Sequence, residues 1–117
     1  MADGRKDDQG KEPWHLAPWD AFRAIVEVMR FGADKYAPRD WEGGMAWSRL
    51  FAALQRHLTA WWEGDGKDPE TGMSHLWHAG CCVVFLIAFE IRHIGTDDRP
   101  STARDKSWVD AAIEDGR

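Results

Sequence analysis

Apolar residues recur at helical spacing in three stretches of this chain. In the first, Phe22, Ile25, Val26, Val28 and Met29 fall on one face, the three-and-four spacing of an amphipathic helix. Pro18 stands at its opening, where a missing N–H costs nothing, and Gly32 is placed to end it. The second stretch puts Leu50, Phe51, Leu54, His57, Leu58 and Trp61 on one face and runs to about Glu63. Ser48 is placed to cap it, and Gly64 with Gly66 stops it. The third opens after Ser74 and extends to about His93. Its later half, Cys81 to Phe89, is apolar on every side, so it needs protein all around it. A monomer of 117 residues offers too little cover, and the pattern therefore predicts an oligomer. Val83 and Val84 would suit a strand, but the length of the run and its helical flanks favour helix.

The segments between these stretches are irregular. Ala33 to Met45 contains Pro38 and Gly43-Gly44 and reads as a long loop, which in a compact domain is more often functional than idle. Residues 1 to 12 are charged and lack apolar periodicity, so order there has to come from a ligand or a partner. After Gly95 the chain turns polar, with a short helix expected from Trp108 to Ile113 behind Ser107 as its cap. The organisation expected is one domain over 1–95 and a polar tail over 96–117, without internal repeats.

The formal net charge of −5 argues against a general nucleic-acid binder, which needs clustered Lys and Arg. A small nucleotide stays compatible, because metal ions neutralise phosphates locally. Cys81 and Cys82 are neighbours in the apolar run, too divergent on a helix for an easy disulfide. They read as core thiols of a reducing cytosol, and their spacing is not that of a zinc site. The run from Cys81 to Phe89 is roughly half a membrane span, and the N-terminus has no signal-peptide apolar region. A soluble cytoplasmic protein without a membrane partner is expected. Eight tryptophans, spread along the chain, read as core or subunit-interface residues, with one or two free to stack on a base.

Three of the five histidines, His57, His75 and His78, bracket the acidic turn Asp68-Pro69-Glu70-Thr71-Gly72. His75 and His78 stand one turn apart on one helix face. His57 joins them if the two helices pack antiparallel, which their short connection favours. Imidazole and carboxylate together suit a divalent metal or meet phosphate; the ordinary alternative is that all of these are helix caps. Lys11 reads by default as tail, Lys35 and Tyr36 as solvated loop, and Arg56 as either a surface charge or a planar phosphate clamp.

The segments DDQGK at Asp7 to Lys11, FGADKY at Phe31 to Tyr36, DWEGGMAWSRL at Asp40 to Leu50, RHLTAWWEGD at Arg56 to Asp65, DPETG at Asp68 to Gly72 and HLWHA at His75 to Ala79 resemble the phage dATP/dGTP diphosphohydrolase family. That family in turn is similar to the MazG group of all-α nucleoside triphosphate pyrophosphatases. The likeness covers roughly residues 7 to 90, and within the family the chain looks closest to the (d)GTP diphosphohydrolases of phages that replace adenine with 2-aminoadenine. The resemblance implies an all-α, MazG-like helical bundle completed by oligomerisation, as a homodimer or homotetramer. It implies hydrolysis of the α–β phosphoanhydride of a purine (d)NTP with Mg2+ or Mn2+, giving a (d)NMP and pyrophosphate.

MazG proteins hold their metals with Glu-x-x-Glu on one helix and Glu-x-x-Asp on the next, and this chain departs from that pattern. His75 and His78 fall where the second motif belongs, His57 falls near the end of the first, and Ala53 and Leu54 offer no carboxylate. The ligand set that the resemblance then implies is His57, Asp68, Glu70, His75 and His78, with Glu63, Asp40 and Glu27 as further carboxylates; otherwise the histidines serve phosphate. His78 or Glu70 then takes the proton of the attacking water. Lys11, Lys35 and Arg56 offset phosphate charge, and Tyr36 or Trp41 stacks on the purine. A nucleotide-binding module without catalysis and a purely structural helical oligomer are the competing readings.

Overall fold

The computed structural model describes residues 4–100 and 107–114. Among these the chain forms four α-helices and two short 3-10 turns, with isolated β-bridges in place of strands. The fold is all-α, as expected.

Helix α1 spans Trp19–Lys35 behind Pro18. Gly32 does not end it, because the Tyr36 N–H still reaches the Gly32 carbonyl at 2.9 Å. Pro38 sets the real limit, since the residue before a proline is pushed out of the helical region. The expected loop from Ala33 to Met45 is therefore shorter at its start and partly ordered within. Ala33 to Lys35 are helical, and Asp40–Gly43 form a 3-10 turn entered through Arg39, whose φ of 65° is left-handed.

Helix α2 spans Trp47–Trp62 and carries no side-chain cap of its own. Ser48, expected as that cap, instead lies inside the first turn. The capping group is Asp98, which accepts the Ser48 N–H at 2.9 Å and the Ser48 hydroxyl at 2.5 Å. A carboxylate suits this position because it meets the unpaired N–H groups and positive pole of the helix. Around it the chain after α3 is stitched to the start of α2. The Trp47 N–H donates to the Thr96 carbonyl, the Thr96 N–H donates to the Met45 carbonyl, and Trp47 Nε1 donates to the Ile94 carbonyl at 2.9 Å. The two backbones touch at Gly95, which has a φ of +77°; a Cβ there would stand 2.5 Å from the Met45 carbonyl oxygen. Residues 94–98, expected partly as tail, thus belong to the folded unit.

Helix α3 spans His75–Arg92, capped as expected by Ser74, whose Oγ accepts the Leu76 N–H at 3.1 Å. It ends at His93, which adopts the left-handed conformation with φ 54°. Helix α4 spans Ser107–Glu114, one residue longer than expected at each end, and docks through buried Val109 and a 2.8 Å contact between His93 Nε2 and Asp110 Oδ1.

The core is the seam between α2 and α3. Trp47, Leu50, Cys82 and Phe89 are its buried centre, flanked by Trp41, Leu54, Phe85 and Leu86. Trp47 at the start of α2 meets Phe89 near the end of α3, while His57 meets His75 at the opposite end. The two helices therefore run antiparallel. Both cysteines are buried free thiols, as expected, and burial pushes Cys81 up to about 12. Of the tryptophans, Trp47 is core and Trp41 stacks on Phe85 with centroids 4.4 Å apart; Trp14, Trp19, Trp61, Trp62, Trp77 and Trp108 are exposed. By length and mean hydropathy, 1.3, α3 as a whole could cross a membrane, although its apolar run alone is too short. Glu90 and Arg92 lie on it, and Ala79, Cys82 and Phe89 pack into the core. Its outer face still shows Leu76, Val83, Ile87 and Ile91 to solvent.

Phe89 is fully buried, so Phe89→Ala leaves a ring-sized void at the seam. A loss of about 3–5 kcal/mol is expected, read as a lower urea midpoint with an unchanged slope.

Candidate metal and phosphate site

The site forms where α2 ends and α3 begins. Gly64, with φ +97°, turns the chain out of α2, and the His75 N–H donates to the Gly66 carbonyl at 3.0 Å. That loop seats His75 as the first residue of α3, its side chain buried. Facing it across the seam, His57 brings its Nδ1 to 2.9 Å from His75 Nδ1. His78, one turn along α3, stacks on His57 with ring centroids 4.7 Å apart and planes 13° from parallel.

The DPETG turn closes over these rings. Asp68 Oδ1 accepts the N–H groups of Glu70 and Thr71 at 2.8 and 3.1 Å, the self-bonded turn that aspartate favours. Asp68 therefore shapes its own loop rather than capping α3. Thr71 Oγ1 takes the Met73 N–H at 3.1 Å and lies 2.7 Å from His78 Nε2. Glu70 reaches back to α1, where Lys35 Nζ meets its Oε1 at 2.5 Å.

Among the described residues, His57, Asp68 and His75 form a group able to hold one ion, with ligand atoms all within 4.8 Å of one another. The donor chemistry suits a divalent metal: two imidazoles and a carboxylate brought together from α2, α3 and the turn between them. His75 adds a second sign. Its Nε2 is buried with no aligned hydrogen-bond partner among the described residues, although Asp65 Oδ2 lies 3.4 Å away. The other two expected ligands stand beside that group, Glu70 paired with Lys35 and His78 with Thr71.

A cleft of about 840 Å³ opens from the cluster and is walled by the end of α1, the Asp40–Gly43 turn, α2 and the DPETG turn. Lys35 and Tyr36 line it, and Tyr36 is well exposed. Trp41 also lines it, but its ring lies on Phe85 with the Arg92 guanidinium 5.3 Å from its centroid. Arg56 is exposed beside His57, outside the cleft lining, and Lys11 lies in the exposed N-terminal segment, its N–H bonded to the Asp8 carbonyl. Of the further carboxylates, Asp40 lines the cleft, Glu63 caps the end of α2 and Glu27 pairs with Arg30 on α1.

Three contributors are not evident from sequence reasoning. Arg49 lines the cleft, and its place two turns before His57 on the same helix face is the available signal. Thr71 reads in sequence only as a cap, and Asp65 carries no signal because its closeness to His75 is set by the loop.

Burial, reinforced by the neighbouring imidazoles, holds His57 below the ordinary histidine value of 6.5, and burial likewise lowers His78. Partial burial works against the charge on Asp68, but the Thr71 and Glu70 amides outweigh it and keep the carboxyl below its usual range. Near pH 7 neutral His57 and His78 therefore stand beside an ionised Asp68, the protonation state that metal binding requires of such groups.

The family described as dATP/dGTP diphosphohydrolase, N-terminal, matches residues 1–99. The chain belongs to that family. The match takes in α1, α2, α3 and the 94–98 segment with Asp98, and leaves α4 outside. A dATP/dGTP diphosphohydrolase of Salmonella phage PMBT28 is 31% identical over 96 residues, which make up 82% of this chain and 33% of that protein. The chain thus spans about a third of the length of this diphosphohydrolase relative. No solved structure matches.

The lowered histidines give a stability test. With folded values below 6.5 for His57 and His78, the unfolded chain binds more protons, so stability is full above about pH 6.5 and falls as the pH drops below it. In metal-free buffer the melting temperature should decline from pH 7 to pH 5, and His57→Gln with His78→Gln should flatten that decline. An unchanged slope in the double variant refutes it.

Proposed function

We propose that this domain hydrolyses the α–β phosphoanhydride of a purine (d)NTP, dGTP or GTP foremost, to (d)NMP and pyrophosphate. The observation that carries the reading is that His57, Asp68 and His78 line a nucleotide-sized cleft, with buried His75 grouped against His57 and Asp68 behind it, in a chain of the diphosphohydrolase N-terminal family. Pockets of roughly 300–1,000 Å³ are typical of small-molecule sites. In a phage with 2-aminoadenine DNA, such an activity would serve nucleotide-pool remodelling by consuming guanine triphosphate.

His57, Asp68 and His75 hold the divalent ion, Mg2+ or Mn2+, which when bound supplies Lewis acidity toward the triphosphate. The side chains do the rest. Lys35 and Arg49 on the cleft walls offset charge on the phosphate oxygens, and Lys35 can exchange Glu70 for a phosphate oxygen without leaving its place. Tyr36, well exposed with the Lys35 ammonium 5.2 Å from its ring centroid, offers its other face to the purine. Water adds to the α-phosphorus as the bond to the β-phosphate oxygen breaks, and pyrophosphate leaves in line. Neutral His78 takes the proton, with Thr71 fixing its ring and Glu70 as the neighbouring carboxylate.

Incubation with each dNTP and Mn2+ or Mg2+ should yield monophosphate and pyrophosphate, dGTP fastest. His75→Ala or His78→Ala should lower kcat by roughly 100-fold or more, about 3 kcal/mol of barrier. Release of single phosphate would sink the assigned bond, and tight dGTP binding without turnover would favour a binding module.

The same proposal extends to a second copy of the chain covering the α3 stripe of Leu76, Val83, Ile87 and Ile91. Light scattering after size exclusion should give a dimer or tetramer mass, and Ile87→Glu with Ile91→Glu should shift it toward monomer. A wild-type monomer at micromolar concentration contradicts it.

A further inference from the structure

The proposed function leaves open whether Mg2+ or Mn2+ is the resident ion, and the geometry points to an answer. We propose that the site is built for an octahedral first-row transition ion of the Mn2+ class in preference to Mg2+, held by His57, His75 and Asp68, with Asp65 as the residue that orients His75. This deepens the proposed function and rests on it only in taking a divalent ion as part of the site.

The first argument is the donor set. Two of the three grouped ligands are imidazoles, whereas Mg2+ favours oxygen and gives up its waters reluctantly. Mixed imidazole and carboxylate donors move preference toward transition ions. The second is spacing. At imidazole–metal bonds of about 2.1 Å, adjacent donors of an octahedron stand about 3.0 Å apart and those of a tetrahedron about 3.4 Å. The two Nδ1 atoms are 2.9 Å apart, close enough for one ion to take both rings; that edge suits any octahedral ion, so the preference over Mg2+ rests on the nitrogen donors themselves.

The third argument comes from the protons. When both rings are neutral, as metal binding requires, the two Nδ1 atoms facing each other at 2.9 Å hold one hydrogen between them. If His75 carried it, bare Nε2 would face the Asp65 carboxylate, 3.4 Å away, lone pair to charge. The favoured tautomer therefore puts the hydrogen of His75 on Nε2, toward Asp65, and leaves its Nδ1 lone pair aimed into the cluster. This is the carboxylate–histidine–metal relay by which outer carboxylates fix a ligand's tautomer and raise its basicity. Nε2 is buried and lacks hydrogen-bond alignment, which a small rotation of the Asp65 side chain, itself largely exposed, would correct.

The test uses the full chain without nucleotide. Titration with Mn2+ followed by electron paramagnetic resonance, with Mg2+ as competitor, should give one Mn2+ per chain bound at least about ten-fold more tightly than Mg2+, with pulsed spectra showing nitrogen coupling. Asp65→Asn should weaken Mn2+ binding about ten-fold or more while leaving metal-free helix content, melting temperature and the weak Mg2+ affinity unchanged. His75→Gln should reduce the nitrogen coupling. Equal affinity for the two ions, absence of nitrogen coupling, or unchanged Mn2+ affinity in Asp65→Asn each overturns the inference. Turnover of dGTP at full rate with Mg2+ and no histidine-bound Mn2+ would sink this inference and leave the diphosphohydrolase reading standing. Histidine-bound Mn2+ without any nucleotide cleavage would uphold the inference and sink that reading.

Discussion

The antiparallel packing of α2 on α3 is the constraint on which the rest depends, because the same seam is a hydrophobic core at one end and a polar cluster at the other. Trp47 and Phe89 fix the first end; His57 and His75 meet at the second. A slip of one helical turn along α3 would exchange His75 for a neighbour on its face and separate the Nδ1 pair. The segment 94–98 guards against such a slip. Its bonds to Met45, Trp47 and Ser48 tie the end of α3 to the start of α2, so the register at the site is held from the far end of the molecule as well as by the loop beside it.

Burying imidazoles is what makes the cluster chemically distinct. In water a histidine is partly protonated near neutrality, and three protonated rings could not share this space. Desolvation and mutual proximity keep His57 and His78 neutral, while amide bonds keep Asp68 ionised. Perturbed titration in a cluster of adjacent groups is a mark of functional sites more than of ordinary surface chemistry. It also gives each group a distinct capacity: lone pairs from the rings, negative charge from the turn.

Much of this was readable from the chain because it depends on local rules. The periods of α1, α2 and α3, the Ser74 cap and the antiparallel meeting of His57 with His75 come from spacing and connection length. What escaped was set by distant contacts. Ser48 looks like a cap, but Asp98 supplies the oxygen, and nothing near Ser48 encodes that. Gly32 looks like a stop, but a helix can run through a glycine when the next residues still permit it, and Pro38 is the stronger break. Asp65 lies next to His75 because of a backbone bond between Gly66 and His75, and Arg49 was legible in principle from its interval to His57. Trp41 shows the same limit differently: a loop tryptophan looks free to stack on a base, yet here Phe85 occupies one of its surfaces.

Under the proposed function, an acidic chain with a net charge of −5 facing a polyanion would need its positive charge concentrated, and the cleft offers this through placement more than number. Lys35 and Arg49 approach it from different helices, and Arg39 enters beside the 3-10 turn. Two of these cations already have carboxylate partners, Lys35 with Glu70 and Arg39 with Glu42. Such exposed pairs are worth little in water, so an arriving phosphate can take over one partner at small cost. Exchange of this kind lets a site remain neutral and folded when empty yet become cationic toward the phosphates when its carboxylates turn away. On that reading the Lys35–Glu70 pair is the most consequential case, because Glu70 lies in the same turn as Asp68: displacing it would couple a bound phosphate to the loop that shapes the proposed metal group.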